Sequence, residues 1–280
     1  MVCSNDVLSP TLVKVPQSEN DLLHQPQFLK QNEINPERKI LIIVQARMSS
    51  TRLPGKIMKK VLGRPLLDFL IQRLKRVSLA DGIVIAATIN TADAKIANYC
   101  LAQEVFCFRG SEHDVLDRYY QTATKFNADV IVRITSDCPL EDPLLIDKLI
   151  SYYLELQPNC DYLSNTLVRT FPRGMDVEVF SYNSLALAAE RATLPEEREH
   201  VTPYLYNNPE IFKIHSYIQP EDNSKYRWTV DCPEDLALIT KILENIYPEC
   251  PEFTLQDLIK LLEEHPEWSK INAHIEQKKL

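Results

Sequence analysis

The sequence has few glycines, only five among its 280 residues, so it is not dominated by loops. It lacks an apolar run approaching the length of a membrane span, and its first residues lack the basic and then apolar pattern of a signal peptide. Its seven cysteines are an odd number, scattered and without a CxxC pair, which disfavours a disulfide framework or a structural zinc site. These absences predict a cytoplasmic protein with no membrane partner.

Two common phosphate-binding loops are also missing. The chain has neither the GxxxxGKS/T motif of P-loop enzymes nor the GxGxxG motif of dinucleotide-binding enzymes, so both of these classes lose support. The net charge of −8 argues against nucleic acid as a partner. A composition of 45% hydrophobic and 25% charged residues is ordinary for a soluble globular protein with a sizeable core.

Residues 1–38 differ in composition from the rest of the chain. They are rich in Asn, Gln, Ser and Pro and show no sustained period of 2 or 3.6. We predict a mobile N-terminal extension that contains a short helix over 21–31. The remaining residues, 39–280, are predicted to form a single domain.

The first part of that domain alternates strands and helices. The predicted strands are 40–44, 83–87, 105–108 and 130–134, followed in turn by helices at 65–77, 92–101, 115–126 and 143–156. Continuous apolar strands in such units predict an α/β fold, with a mostly parallel sheet covered by helices on both faces. The less regular second half predicts strands at 177–180, 212–217 and 227–230, and helices at 183–191, 196–206, 233–246 and 254–264.

Three cations follow the first predicted strand. Arg47, Arg52 and Lys56 lie in the polar loop that leaves the strand at 40–44. Loops of this kind sit at the carboxyl ends of strands, where their amides and cations hold phosphate oxygens. The loop therefore suits a nucleoside triphosphate. The alternative is an ordinary strand-to-helix connection with solvated basic residues.

The tripeptide Asp-Cys-Pro occurs twice, beginning at Asp137 and at Asp231, each time after a predicted strand. Carboxylates in these positions face the same edge of the sheet as the cation loop, and two of them suit one Mg²⁺ bridging the triphosphate. The alternative is that each aspartate caps the helix that follows. A zinc site formed by Cys138 and Cys232 with His113 or His200 has no supporting spacing, so we expect both cysteines to be packing residues.

A third charged region lies farther along the chain. Asp176 and Glu178 alternate with valines and are expected on one face of a strand. With Arg173, Arg198 and His200 they form a candidate surface for an acidic or polyhydroxylated acceptor, within a region of about 165–226. The alternative for the second part of this region is a solvated helix start.

Five segments of the chain resemble the spore-coat polysaccharide biosynthesis protein F family, which is similar to CMP-KDO and CMP-sialate synthetases. They are QARMSSTRLPGK (45–56), FRGSEHDVLDRY (108–119), RITSDCP (133–139), REHVTP (198–203) and WTVDCPED (228–235). The resemblance covers about 39–247 in order. Ser49 and Ser136 stand where many relatives have glycine, and the acceptor motifs of the KDO and sialate enzymes are not evident.

The resemblance implies a Rossmann-like nucleotidyltransferase fold of the type shared with GT-A glycosyltransferases, with CTP as donor, Mg²⁺ as cofactor and a homodimer. By position, Arg47, Arg52 and Lys56 would hold the triphosphate as the catalytic cations. Asp137 and Asp231 would bind the metal. The residues expected beside the base and ribose are Gln45, Ala46 and Thr88.

These observations predict a cytidylyltransferase that moves CMP from CTP to an acidic sugar or sugar-like acceptor in surface polysaccharide biosynthesis and releases pyrophosphate. One alternative is a GT-A-type glycosyltransferase that consumes a nucleotide-sugar, against which stands the lack of a clear Asp-x-Asp motif. The other is a non-catalytic nucleotide-binding module, although a degraded site is expected to have lost some of these charges.

Overall fold

The computed structural model describes residues 38–276, so the predicted extension and its short helix lie outside this range except for residue 38. A seven-stranded sheet and a separate two-stranded hairpin are present. The strands are β1 (Ile40–Gln45), β2 (Lys60–Val61), β3 (Arg64–Pro65), β4 (Gly82–Thr88), β5 (Phe106–Gly110), β6 (Val130–Thr135), β7 (Tyr162–Ser164), β8 (Glu178–Ser181) and β9 (Ile214–Ser216).

The helices follow the strands in the order that the sequence predicts for the first half. They are α1 (Leu66–Leu74), α2 (Ala94–Ala102), α3 (Val115–Lys125), α4 (Pro143–Glu155), α5 (Tyr182–Arg191), α6 (Pro195–His200), α7 (Pro203–Tyr206), α8 (Pro233–Ile246) and α9 (Leu255–Glu264). Helix α9 is capped by Thr254, whose hydroxyl accepts a hydrogen bond from the Asp257 amide at 3.4 Å.

The large sheet has the strand order β5-β4-β1-β6-β8-β7-β9. Strands β5, β4, β1 and β6 pair in parallel, and only β8 runs antiparallel to its neighbours. Successive residues of β1 pack into two hydrophobic cores on opposite faces of the sheet. Ile42 packs with α1, α4 and α8, whereas Ile43 packs with α3 and α5. The predicted α/β fold, with helices on both faces of a mostly parallel sheet, is confirmed.

The order of the strands creates a crevice at one edge of this sheet. From β1 the chain adds β4 and then β5 on one side, and it returns to add β6 on the other side of β1. Strands β1 and β6 end together, because Gln45 is opposite Thr135. Ligands of open α/β sheets bind where the strand order reverses in this way. The loops after β1 and β6 therefore flank the expected ligand crevice.

Three details of the second half differ from the sequence-based expectations. The predicted strand 227–230 is wrong, because its segment makes only an isolated bridge between Arg173 and Arg227. Its apolar pattern reflects the burial of Trp228 and Val230 in the core. The predicted helix 196–206 is two helices, since Val201 adopts a φ of +74°. Strand β7 was not predicted; it has only three residues.

Glu141, between β6 and α4, is fully buried, and neither carboxylate oxygen has a hydrogen-bond partner among residues 38–276. Burial, with the negative charge of Asp176 adding to it, raises the pKa of Glu141 well above its usual range. Because the pKa of Glu141 is higher in the folded than in the unfolded state, its contribution to the free energy of unfolding is fully present below the unfolded-state pKa. That contribution is lost as the pH rises through the folded-state pKa.

We therefore expect Glu141→Gln, which is neutral at every pH, to unfold at higher urea concentration than wild type at about pH 8, with the difference vanishing near pH 4. Urea unfolding across this range measures the effect. The matched control is Glu155→Gln, on the exposed side of α4, which should follow wild type throughout. A difference for Glu141→Gln that stays constant with pH would contradict the expectation.

Candidate active site

The loop that leaves β1 is anchored to the neighbouring strand. The Ala46 amide donates to the Ala86 carbonyl at 3.1 Å, and the Met48 amide donates to Asp93 Oδ1 at 2.7 Å. The other oxygen of Asp93 accepts from the Thr88 hydroxyl at 2.5 Å. These contacts hold the first part of the loop over the carboxyl end of the sheet.

Gly55 turns the chain back at the far end of this loop. Its φ is +66°, a conformation that favours glycine, and its amide donates to the Met48 carbonyl at 2.9 Å. A Cβ at this position would lie 3.2 Å from the Met48 methyl carbon. The turn directs the next residue, Lys56, across the crevice.

The Lys56 ammonium joins the two Asp-Cys-Pro motifs. Its Nζ atom lies 2.7 Å from Asp137 Oδ2 and 2.8 Å from Asp231 Oδ1. The three residues come from separate segments, and the structure brings them together as the sequence predicts. Two carboxylates that converge on one cation are a donor set that suits a divalent metal ion.

Neither aspartate caps the helix that follows it. Asp142 caps α4 by accepting from the Leu144 amide at 2.9 Å, and Asp235 accepts from the Asp231 and Cys232 amides at the start of α8. The carboxylates of Asp137 and Asp231 are thereby left to face the crevice.

Asp231 is held by two guanidinium groups in addition to Lys56. Its Oδ2 atom lies 3.0 Å from an Nη2 atom of Arg52 and 3.0 Å from one of Arg227. Arg227 also makes two contacts of 2.9 Å with Asp235, whose Oδ1 accepts from Asn272 at 2.8 Å. We did not predict this support from the sequence, because residues 227–232 lie outside any helix and their spacing alone does not bring these side chains together.

The charges of this cluster shift its protonation equilibria. Burial would raise the pKa of Asp137, but the Lys56 ammonium outweighs it and holds that pKa below its usual range. Burial would likewise lower the pKa of Lys56, but Asp137 and Asp231 together raise it. The Asp137 carboxylate and the Lys56 ammonium are therefore charged near neutral pH.

The three residues expected beside the base and ribose differ in their surroundings. Gln45 is half-buried, and its Oε1 atom accepts from Arg133 Nη2 at 3.0 Å. Ala46 and Thr88 are buried, and the Thr88 hydroxyl is occupied by Asp93. Arg47 is exposed on the loop. Of Gln45, Ala46, Arg47 and Thr88, the side chains of Gln45 and Arg47 are accessible to a ligand.

The candidate acceptor residues do not form one surface. Glu178 is buried, where it pairs with Arg133 and accepts from the Tyr162 hydroxyl at 2.5 Å. Arg198 Nε donates to Asp114 at 2.9 Å, and its Nη1 donates to the Ala189 carbonyl at 2.7 Å. His200 ends α6.

Asp176 and Arg173 are the remaining candidates of the predicted acceptor region. Asp176 makes a two-pronged ion pair with Arg169, at 2.6 and 3.1 Å, which the sequence did not single out. Arg173 lines a cavity of about 130 Å³ together with Lys225 and Arg227. Arg227 also contacts Asp231, at 3.0 Å, so this one side chain links the cavity wall to the carboxylate pair.

No cluster of three or more His, Cys, Asp or Glu side chains suited to a metal occurs within residues 38–276. Mg²⁺ is commonly bound by one or two carboxylates with phosphate and water supplying the rest, so Asp137 and Asp231 fit this ion better than zinc.

Among residues 38–276, no helix is both long and apolar enough to span a bilayer.

The cytidylyltransferase family model matches residues 41–263, which includes the loop and both Asp-Cys-Pro motifs. The chain belongs to the cytidylyltransferase family. It is therefore a nucleotidyltransferase, and the predicted family is confirmed. Family membership also decides against the glycosyltransferase and the non-catalytic module.

Similar proteins agree with this assignment. The spore coat polysaccharide biosynthesis protein SpsF of Bacillus subtilis is 34% identical over 81% of this chain and 95% of its own length. A cytidylyltransferase structure from Leptospira borgpetersenii serovar Hardjo-bovis has a TM-score of 0.80 at 35% identity, over 87% of this chain and all of that one. The fold alone is shared with CMP:2-keto-3-deoxy-manno-octonic acid synthetase complexed with CTP, at a TM-score of 0.56 and 16% identity over 74% and 98%.

Proposed function

We propose that this cytidylyltransferase transfers CMP from CTP to an acidic sugar or sugar-like acceptor, with release of pyrophosphate, in polysaccharide biosynthesis. The observation that carries the proposal is the convergence of Lys56 on Asp137 and Asp231 beside a loop that holds two further cations. Family membership supports the cytidylyl group, and the similarity to SpsF supports the pathway class.

In the proposed reaction, an acceptor hydroxyl oxygen attacks the α-phosphorus of CTP and its proton passes to solvent. The bond from that phosphorus to the oxygen bridging to the β-phosphate breaks, and the electron pair leaves with pyrophosphate. Arg47, Arg52 and Lys56 stabilise the negative charge that moves onto the leaving group. Asp137 and Asp231 would hold Mg²⁺, which supplies further charge neutralisation. No nucleophilic side chain is required.

For the acceptor, the contacts favour Arg173 over the other candidates. Arg198, Glu178 and Asp176 have ion-pair partners within the fold, whereas Arg173 lines a cavity together with Arg227, which also contacts Asp231. Burial lowers the pKa of Arg173, and the positive charges of Arg169 and Arg227 add to this effect. A carboxylate or phosphate on the acceptor would relieve that repulsion.

The proposed setting is a homodimer in the cytoplasm. The six cysteines described by the structure are free thiols, which supports a reducing compartment. The homodimer rests on the family resemblance.

A pyrophosphate-release screen tests the function. The full chain with Mg²⁺ is offered CTP, UTP, ATP or GTP against a panel of acidic sugars and sugar phosphates. We expect release only when CTP and an acidic acceptor are both present. Activity with ATP or GTP alone would contradict the cytidylyl assignment, and activity confined to neutral sugars would contradict the acidic acceptor.

A further inference from the structure

The space between the two aspartates of the site is filled by a side chain of the protein itself. The Lys56 Nζ atom contacts Asp137 and Asp231 within 2.8 Å, and the exposed fractions of the three side chains are only 12%, 23% and 14%. An ammonium in this position satisfies the same oxygen atoms that a metal ion would need. The metal and the ammonium therefore compete for one place.

The other charged side chains near Asp137 and Asp231 favour Lys56 over a divalent metal ion in this competition. Asp231 also contacts Arg52 and Arg227, so the two carboxylates already face three cations, one of which is shared with Asp235. A divalent ion entering this cluster would be repelled by the nearby positive charges unless some of them moved. Lys56 has a flexible four-carbon stem and a compact charge, so its ammonium can move farther than a guanidinium fixed by two partners.

We propose that Lys56 is the resident cation of Asp137 and Asp231, and that it makes metal binding conditional on the nucleoside triphosphate. This inference rests on the proposed function for the identity of that ligand. The triphosphate offers Lys56 a more strongly charged partner, and the lysine that moves to it frees the two carboxylates. Metal and nucleotide then strengthen each other's binding by the same factor, because coupling between two ligands is reciprocal.

The proposal assigns Lys56 two successive partners, first the carboxylates and then the phosphates. A lysine that served only the phosphates would not need both of its short contacts with Asp137 and Asp231. The distinction can be measured without turnover, since removing Lys56 should strengthen metal binding in the absence of nucleotide while weakening nucleotide binding.

Mn²⁺ binding to the full chain without nucleotide tests the proposal, with free Mn²⁺ followed by electron paramagnetic resonance. Wild type should bind Mn²⁺ weakly, and Lys56→Met should bind it at least about tenfold more tightly, within the usual range of coupling between sites. Lys60→Met removes an exposed lysine of β2 and should match wild type. Adding Asp137→Asn to Lys56→Met should abolish the gain. Lys56→Gln provides a second neutral variant, and circular dichroism checks that each protein is folded.

Equal Mn²⁺ affinity of wild type and Lys56→Met, or tight binding by wild type, would overturn the proposal. Because no substrate turns over in this experiment, its outcome is independent of the pyrophosphate-release screen. A protein that fails the screen but shows the Lys56 effect would refute the proposed function alone.

Discussion

Asp137→Asn is expected to lower kcat for pyrophosphate release about a thousandfold, because removing one main electrostatic stabiliser of a transition state typically has an effect of this size. The amide has the shape of the carboxylate but lacks its negative charge, so it is a poor ligand for Mg²⁺ and no longer forms an ion pair with Lys56. Initial rates at saturating CTP and acceptor, measured over a range of Mg²⁺ concentrations, give the comparison.

The control for this variant is Glu263→Gln, which removes one negative charge from an exposed position on α9. It should keep the wild-type kcat, showing that net charge alone does not explain the loss. Near-normal turnover of Asp137→Asn with a normal Mg²⁺ requirement would show that the metal is held elsewhere.

Glu178→Ala is expected to lower the free energy of unfolding by about 3–5 kcal/mol, the usual cost of removing one partner of a buried ion pair. The substitution leaves the largely buried Arg133 guanidinium, which is 13% exposed, without its carboxylate, and it also removes the acceptor of the Tyr162 and Thr202 hydroxyls. Urea denaturation followed by fluorescence and by circular dichroism measures the loss.

Two further variants show whether the loss arises from the unpaired charge. Glu190→Ala, on the exposed side of α5, should stay within about 0.5 kcal/mol of wild type. The double variant Arg133→Met/Glu178→Leu should recover much of the stability, since apolar replacement of both partners is often neutral. A double variant as unstable as Glu178→Ala would show that another feature of this site carries the effect.

The predicted topology was accurate where local pattern and tertiary packing agree. Helix α8 begins and ends where the sequence predicts, because Pro233 suits a first turn and its apolar residues repeat at helical spacing. The segment 227–230 has an equally clear apolar pattern, yet it forms no strand. Burial alone determined that pattern, and a residue's burial does not specify its hydrogen-bond partner.

For the candidate acceptor residues too, the sequence pattern does not specify which partners the side chains contact. The sequence groups Arg198, His200 and Glu178 in one predicted acceptor region. In the structure, Arg198 forms an ion pair that connects α6 to Asp114, and Glu178 forms an ion pair with Arg133. Charged side chains that stabilise a fold and those that bind a ligand have the same sequence signature. Only their contacts distinguish them.

The sequence by itself determined the α/β class, the cation loop, the two Asp-Cys-Pro motifs and the family, because each depends on local pattern or on motifs in a fixed order. The tertiary structure alone decided that Lys56 lies between Asp137 and Asp231, which are 81 and 175 positions away along the chain. It also decided which aspartates cap helices and which pair with the cations of the crevice. Such choices depend on distances across the crevice, which are set by the order of the strands and the turn at Gly55.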